Sequence, residues 1–223
     1  WWWRHRMMTK LVPTWQNPQT ALWEQRYSST AMWSGQVNKT LEKVVSDLSL
    51  SGSALDVGAG EGADALWLAE QGFDTTAVDA SPAALRRAEQ ERVARVTKDH
   101  KPRIVRFVAS NVVTDPFPHR PDGYSLVTSQ FLHLPEPDRS VVWKKLVDAT
   151  APSGTLLIIA HSVKDLDAGV RRPPRELLFD DHELLAVIPT DWSSKKVSEV
   201  ARTQTLPTGD EVQVFDIVLV AKR

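Results

Sequence analysis

The stretch from Ala54 to Ala63, ALDVGAGEGA, constrains the chain more than any other. Ala54 to Val57 is a short apolar run suited to a buried strand, and it runs straight into Gly58, Gly60 and Gly62. Residues 63–70, ADALWLAE, then follow with helical spacing. Glycines at alternate positions let the backbone turn sharply and let a ligand approach with no Cβ in the way. The helix behind them aims its unpaired N–H groups and positive dipole end at whatever lies over the turn. A second strand, Thr75 to Val78, delivers Asp79 about 20 residues after the glycines, where a carboxylate meets the hydroxyl pair of a ribose. The pattern predicts a nucleoside-binding βαβ unit.

Gly58, Gly60 and Ala63 satisfy the G-x-G-x-x-G/A spacing of dinucleotide sites, which does not by itself choose a ligand. Two details favour S-adenosylmethionine. Asp56 stands two residues before the first glycine, where it can hold the cationic amino end of a methionyl group. Gly62 gives the spacing G-x-G-x-G, which leaves room for a compact ligand without a pyrophosphate. At these residues the chain resembles the class I S-adenosylmethionine-dependent methyltransferases: Leu55 to Gly62 is similar to their motif I, and Val78 to Ser81 to the acidic end of their second strand.

Composition narrows the partners. A formal net charge of −1 over 223 residues argues against nucleic acid or an anionic membrane as a partner recognised by charge. With no cysteine there is no disulfide, thiol nucleophile or thiolate metal site, which fits a cytoplasmic location. The longest apolar runs, such as Leu156 to Ala160, are strand-sized and too short for a bilayer. The six histidines form no H-x-x-x-H or H-E-x-x-H pair, and no metal is assigned.

The expected organisation has three parts. Residues 1–14 read as a disordered or non-native extension, since WWWRHRMM is no secretory signal and a start at Met7 or Met8 is the simpler account. Residues 15–50 read as a helical lid, and 51–223 as the S-adenosylmethionine-binding core. The pattern W-x-x-R-Y with a following Trp resembles the N-terminal lid of the small-molecule methyltransferases related to the thiopurine and tellurite-resistance enzymes. That resemblance implies that Trp23, Arg26, Tyr27 and Trp33 cover the methionine end and the acceptor; docking of these aromatics onto the core is the alternative.

Beyond Asp79, Ser81 and Pro82 predict a helix start, with Ser as N-cap and Pro at N1. Its arginines alternate with Glu89 and Glu91, as on a solvated face. A third strand is expected over 103–109, ending at Ser110, Asn111 and Val112. Asp115-Pro-Phe117 reads as a turn. The fourth strand starts at Tyr124 and runs out through Ser129, Gln130 and His133, at the end of the sheet where ligands bind. His133 is the one candidate for a general base; packing beside Leu132 and Leu134 is the alternative, and is favoured. A helix is expected over 138–150, a turn over 151–155 and a fifth strand over 155–160. Asp180 with Glu183 predicts a capping box, and Ser194–Thr205 with Glu211–Ala221 a closing hairpin.

The predicted fold is α/β: a doubly wound, seven-stranded, mostly parallel Rossmann-like sheet with an antiparallel C-terminal strand. The resemblance implies that Asp56, Gly58, Ala59, Gly60 and Gly62 hold the methionyl part and Asp79 the ribose. Ala80, Ser81, Asn111 and Val112 flank the adenine, with Ser129 beside the cofactor, while Gln130 and His133 face the acceptor. The implied activity is methyl transfer to a small molecule, a thiol or chalcogen oxyanion among the candidates, by a monomer or homodimer. A soft, easily ionised acceptor requires no dedicated base, and none is evident. Three other readings stay open: an NAD(P)-binding oxidoreductase, a non-catalytic S-adenosylmethionine-binding module, and a macromolecule methyltransferase.

Overall fold

The computed structural model describes residues 25, 35–100, 104–167, 170, 173–206 and 208–223. The lid residues Trp23, Arg26, Tyr27 and Trp33 and the extension 1–14 lie outside the described residues.

The described residues form one seven-stranded sheet: β1 (Ser53–Val57), β2 (Asp74–Asp79), β3 (Val105–Ala109), β4 (Tyr124–Gln130), β5 (Thr150–His161), β6 (Ser194–Thr205) and β7 (Glu211–Lys222). Their order is β3-β2-β1-β4-β5-β7-β6. Strands β1 to β5 are mutually parallel, whereas β7 runs antiparallel to β5 and to β6. Every residue of β1 is buried, as expected of a central strand covered on both faces. The chain reverses direction across the sheet between β1 and β4, so the crevice at their carboxyl ends is the switch point where ligands bind in such sheets.

Among the described residues five α-helices flank the sheet: α1 (Lys39–Asp47), α2 (Ala63–Glu70), α3 (Pro82–Asp99), α4 (Asp138–Ala149) and α5 (Asp181–Val187). Side-chain alternation along the strands divides the core in two. Leu41 and Val45 of α1 and Leu68 of α2 pack with Ala54, Leu126, Leu157, Ile159 and Val218. On the other face, Val142, Trp143 and Leu146 of α4 and Leu184 of α5 pack with Leu55, Val57, Val127, Ile158 and Leu219.

The helix starts follow their cap residues. Ser81 Oγ accepts from Ala84 N at 3.2 Å ahead of Pro82, and Asp180 with Glu183 forms the reciprocal capping box. The turn expected over 151–155 is instead carried inside β5. Tyr124 pairs with Thr150 but Leu126 pairs with Thr155, so the intervening residues bulge from the ladder, with Ser153 at a φ of 62°. Helix α4 accordingly stops at Ala149, and Thr150 belongs to the strand.

Candidate functional site

At the carboxyl end of β1 the glycine turn is bonded to the end of β2. The amides of Gly58 and Ala59 both donate to the Val78 carbonyl, at 2.8 and 3.0 Å. The Gly60 amide donates to Asp79 Oδ2 at 2.8 Å, while Asp79 Oδ1 accepts from Ser81 N at 2.8 Å. Asp79 thus fixes the turn as well as facing the cleft. Gly62, expected to widen the turn, has another physical role. It is the left-handed N-cap of α2 (φ 78°), and a Cβ there would stand 2.7 Å from Ala88 Cβ and 3.2 Å from the Phe107 ring. Its missing side chain lets α2 start against α3 and β3.

Asp56 is the most telling residue. Its side chain is buried, and among the described residues neither carboxylate oxygen has a hydrogen-bond partner. Burial, with Asp64 and Asp79 nearby, pushes its pKa well above the ordinary carboxylate value. Asp64, in the first turn of α2, accepts from the Asn38 amide at 2.7 Å, yet burial still pushes its pKa up to about 6. An acidic pocket with an unpartnered carboxylate is complementary to a cation, because an ionised buried carboxylate is costly until something neutralises it.

One cleft of about 1480 Å³ collects most of the predicted residues: Asp56, Gly58, Ala59, Gly60, Gly62, Asp79, Ala80, Asn111, Val112 and Gln130. Asn111 sits there with its Oδ1 already accepting from the Val113 and Thr114 amides, at 2.9 and 3.3 Å, so its Nδ2 is the group left to meet a ligand. The turn carrying it is clamped by Lys145 of α4, whose Nζ donates to the carbonyls of Val112, Val113 and Asp115.

Three predicted residues stand off the cleft lining. Ser129 donates to the Val57 carbonyl at 2.9 Å and ties β4 to β1. Ser81 is fully buried as the cap of α3. His133 stacks its ring on His161, with centroids 5.1 Å apart and planes 11° from parallel.

Sequence reasoning missed the group beside it. His161 ends β5, Asp216 is its register partner on β7, and Arg202 projects from β6; all three line the cleft. His161 Nδ1 stands 3.6 Å from Asp216 Oδ1, just beyond hydrogen-bond length, and Arg202 Nε donates to Asp216 Oδ2 at 2.7 Å. Burial works to raise the Asp216 carboxyl, but His161 and Arg202 together hold it below its ordinary value. Among the described residues no group of three or more His, Cys, Asp or Glu side chains is placed to hold a metal ion. No helix among them is long and apolar enough to cross a membrane.

Residues 54–154 match the family described as "Methyltransferase domain". The matched stretch runs from β1 through the glycine turn, Asp79 and β4 to the β5 bulge. Rat (Rattus norvegicus) glycine N-methyltransferase is 30% identical over 135 residues, which cover 56% of this chain and 46% of the relative. The match therefore spans about half the length of that relative. A structure from work on the conversion of a disulfide bond into a thioacetal group during echinomycin biosynthesis superposes with a TM-score of 0.73. The two are 18% identical, over 92% of this chain and 91% of the other. Magnesium protoporphyrin IX methyltransferase from Synechocystis PCC 6803, solved with bound SAH, gives a TM-score of 0.60 at 16% identity, over 94% and 96% of the two chains. At these identities the structures establish the shared fold: a mostly parallel Rossmann-like sheet closed by an antiparallel strand.

Proposed function

We propose that the chain transfers a methyl group from S-adenosylmethionine to a small-molecule acceptor. The observation that carries this reading is the Asp56 carboxylate, buried and without a hydrogen-bond partner among the described residues, beside the glycine turn of the stretch that matches a methyltransferase domain. It suits the ammonium of a methionyl group. The solved relative with bound SAH supports the same class of ligand. Asp56 and the turn from Gly58 to Gly62 hold the amino-acid end, Asp79 the ribose, and Ala80, Asn111 and Val112 the base. When bound, the sulfonium supplies an already activated methyl group. The protein's part is to align an acceptor with it and to exclude water. Gln130 faces the acceptor end. The near-neutral charge supports a small molecule over nucleic acid, and the lack of cysteine supports a cytoplasmic setting.

Calorimetric titration with S-adenosylmethionine, S-adenosylhomocysteine and NADH tests the assignment. The expected result is binding of the first two, weakened at least about tenfold by Asp56→Asn, in line with the loss of one charge-assisted contact. Binding of NADH alone would overturn it in favour of an oxidoreductase.

A further inference from the structure

Sequence reasoning singled out His133 as the one candidate base, but the fold brings a different group together beside it. His161, Asp216 and Arg202 come from three strands and meet only because β7 returns antiparallel between β5 and β6. Asp216 is buried at 1% exposure. Its Oδ2 takes the Arg202 bond and its Oδ1 faces His161 Nδ1. That leaves Nε2 as the imidazole atom for a ligand, and among the described residues it has no hydrogen-bond partner.

The ring is also held in place. Phe131 packs on it at 4.6 Å between centroids and His133 stacks on it at 5.1 Å. Phe131 reaches that position with a φ of 53°, anchored by its amide donating to the Ile159 carbonyl at 2.7 Å. A bulky residue in the left-handed region is strained and persists only where its surroundings fix it, as around functional sites. Arg202 lies over the other ring of this group, 6.0 Å from the Phe131 centroid. The charged and titratable groups around His161 are therefore Asp216 from β7, Arg202 from β6 and His133 from the segment after β4.

Position across the sheet matters as much. The strand order sets Asp79 on β2, Asp56 on β1, Gln130 on β4 and His161 on β5, in that sequence. Asp56 is level with Thr128, and Thr128 with Leu157, four residues short of His161. From strand spacing and rise, the Cα atoms of Asp56 and His161 are roughly 16 Å apart. His161 thus lies in the same cleft but beyond the amino-acid end of the proposed cofactor site, on the side away from the ribose carboxylate.

We propose that His161 is the general base of the methyl transfer, oriented by Asp216, and that the acceptor is an oxygen or nitrogen nucleophile still holding its proton at neutral pH. This rests on the S-adenosylmethionine-dependent reading above. In the step, the acceptor's lone pair forms the new bond to the methyl carbon. The carbon–sulfur bond breaks with its electron pair left on sulfur, giving a neutral thioether. The acceptor's proton passes to His161 Nε2 and from there to solvent. A thiolate or chalcogen oxyanion would have no proton to give up, so the dyad points away from such acceptors. Asp216 and Phe131 are positioning residues: the first selects the Nδ1–H tautomer, the second fixes the plane of the ring.

Two measurements on the full chain test this. The ring ¹⁵N shifts of histidine-labelled protein are read by NMR, with the His161 signals identified from their loss in His161→Gln. Asp216→Asn is expected to remove the preference for the Nδ1–H tautomer of His161, since the carboxylate facing Nδ1 is lost. Transfer is then assayed with phenols of graded acidity, primary amines and thiols as probes. His161→Gln is expected to cut transfer to phenols or amines by about 10²–10⁴-fold, with S-adenosylhomocysteine affinity unchanged by calorimetry. Circular dichroism of both variants checks that they fold. An unchanged His161 tautomer in folded Asp216→Asn, full activity in His161→Gln, or transfer confined to thiols would each overturn the dyad. Failure of the wild type to bind S-adenosylhomocysteine would instead overturn the cofactor assignment on which it rests.

Discussion

The Asn38 main-chain amide donates to Asp64 Oδ1 at 2.7 Å, joining the start of α1 to the first turn of α2 across 26 residues. Asn38 acts twice, since its side-chain Oδ1 also accepts from the Thr40 and Leu41 amides, at 2.9 and 3.2 Å. Asn38→Ala removes the cap but leaves the main-chain bond. The expected cost is about 1 kcal/mol, read as a lower urea midpoint at unchanged slope.

Asp64 makes stability depend on pH in an unusual direction for a carboxylate. Unfolded, it ionises at its ordinary value of 3.8; folded, at about 6. Between those values the folded state holds more protons, so its contribution is fully present below 3.8 and is lost as pH rises through 6. The loss amounts to about 3 kcal/mol at one pKa step per 1.36 kcal/mol. Unfolding curves for wild type and Asp64→Asn should therefore diverge between about pH 4 and pH 6, the wild type weakening relative to the variant as pH rises. Parallel curves would refute the assignment.

Ligand affinity should move the opposite way with pH. Burial, with Asp64 and Asp79 nearby, raises the pKa of Asp56, and a ligand ammonium binds only the ionised form. Affinity for S-adenosylhomocysteine is expected to fall as the solution is acidified, at higher pH than an ordinary carboxylate would impose, with proton release on binding. Calorimetry in buffers of different ionisation enthalpy measures that release directly, and Asp56→Asn should reduce it.

Gly62→Ala should be severe. The added Cβ meets Ala88 Cβ at 2.7 Å and the backbone must keep a φ of 78°. Overpacking and left-handed strain together cost about 3 kcal/mol. A denaturant midpoint close to wild type would show that the helices can separate freely at this point.

Lys145→Met keeps the bulk of the side chain and removes the ammonium that gathers the Val112, Val113 and Asp115 carbonyls. Hydrogen exchange over residues 110–117 should accelerate, and S-adenosylhomocysteine should bind about tenfold more weakly, since each lost charged hydrogen bond is worth about 1.5 kcal/mol or more. Unchanged exchange in that segment would count against the clamp.

The parts legible in the sequence were those whose logic is local. The strand, glycine turn, helix and Asp79 lie within 26 residues, Ala54 to Asp79, and their spacing alone carries the reading. The Ser81–Pro82 start, the Asp180–Glu183 box and the closing hairpin were likewise visible as short patterns. His161, Asp216 and Arg202 were not, because no spacing relates them; they become neighbours through the register of two antiparallel ladders. Ser129 misled for a related reason. It sits at the right end of β4, but alternation turns its hydroxyl onto Val57 and away from the cleft. The β5 bulge was concealed by residues 151–154, APSG, which look like a turn and serve as one without leaving the strand.

The bonds from Gly58, Ala59 and Gly60 to the end of β2 carry a kinetic consequence. Three successive amides are committed before any ligand arrives, so the entropy of ordering the turn is spent during folding rather than at capture. Encounter then meets a receptor already in shape, and the rate of capture is set by diffusion and access to the cleft rather than by waiting for the turn to form.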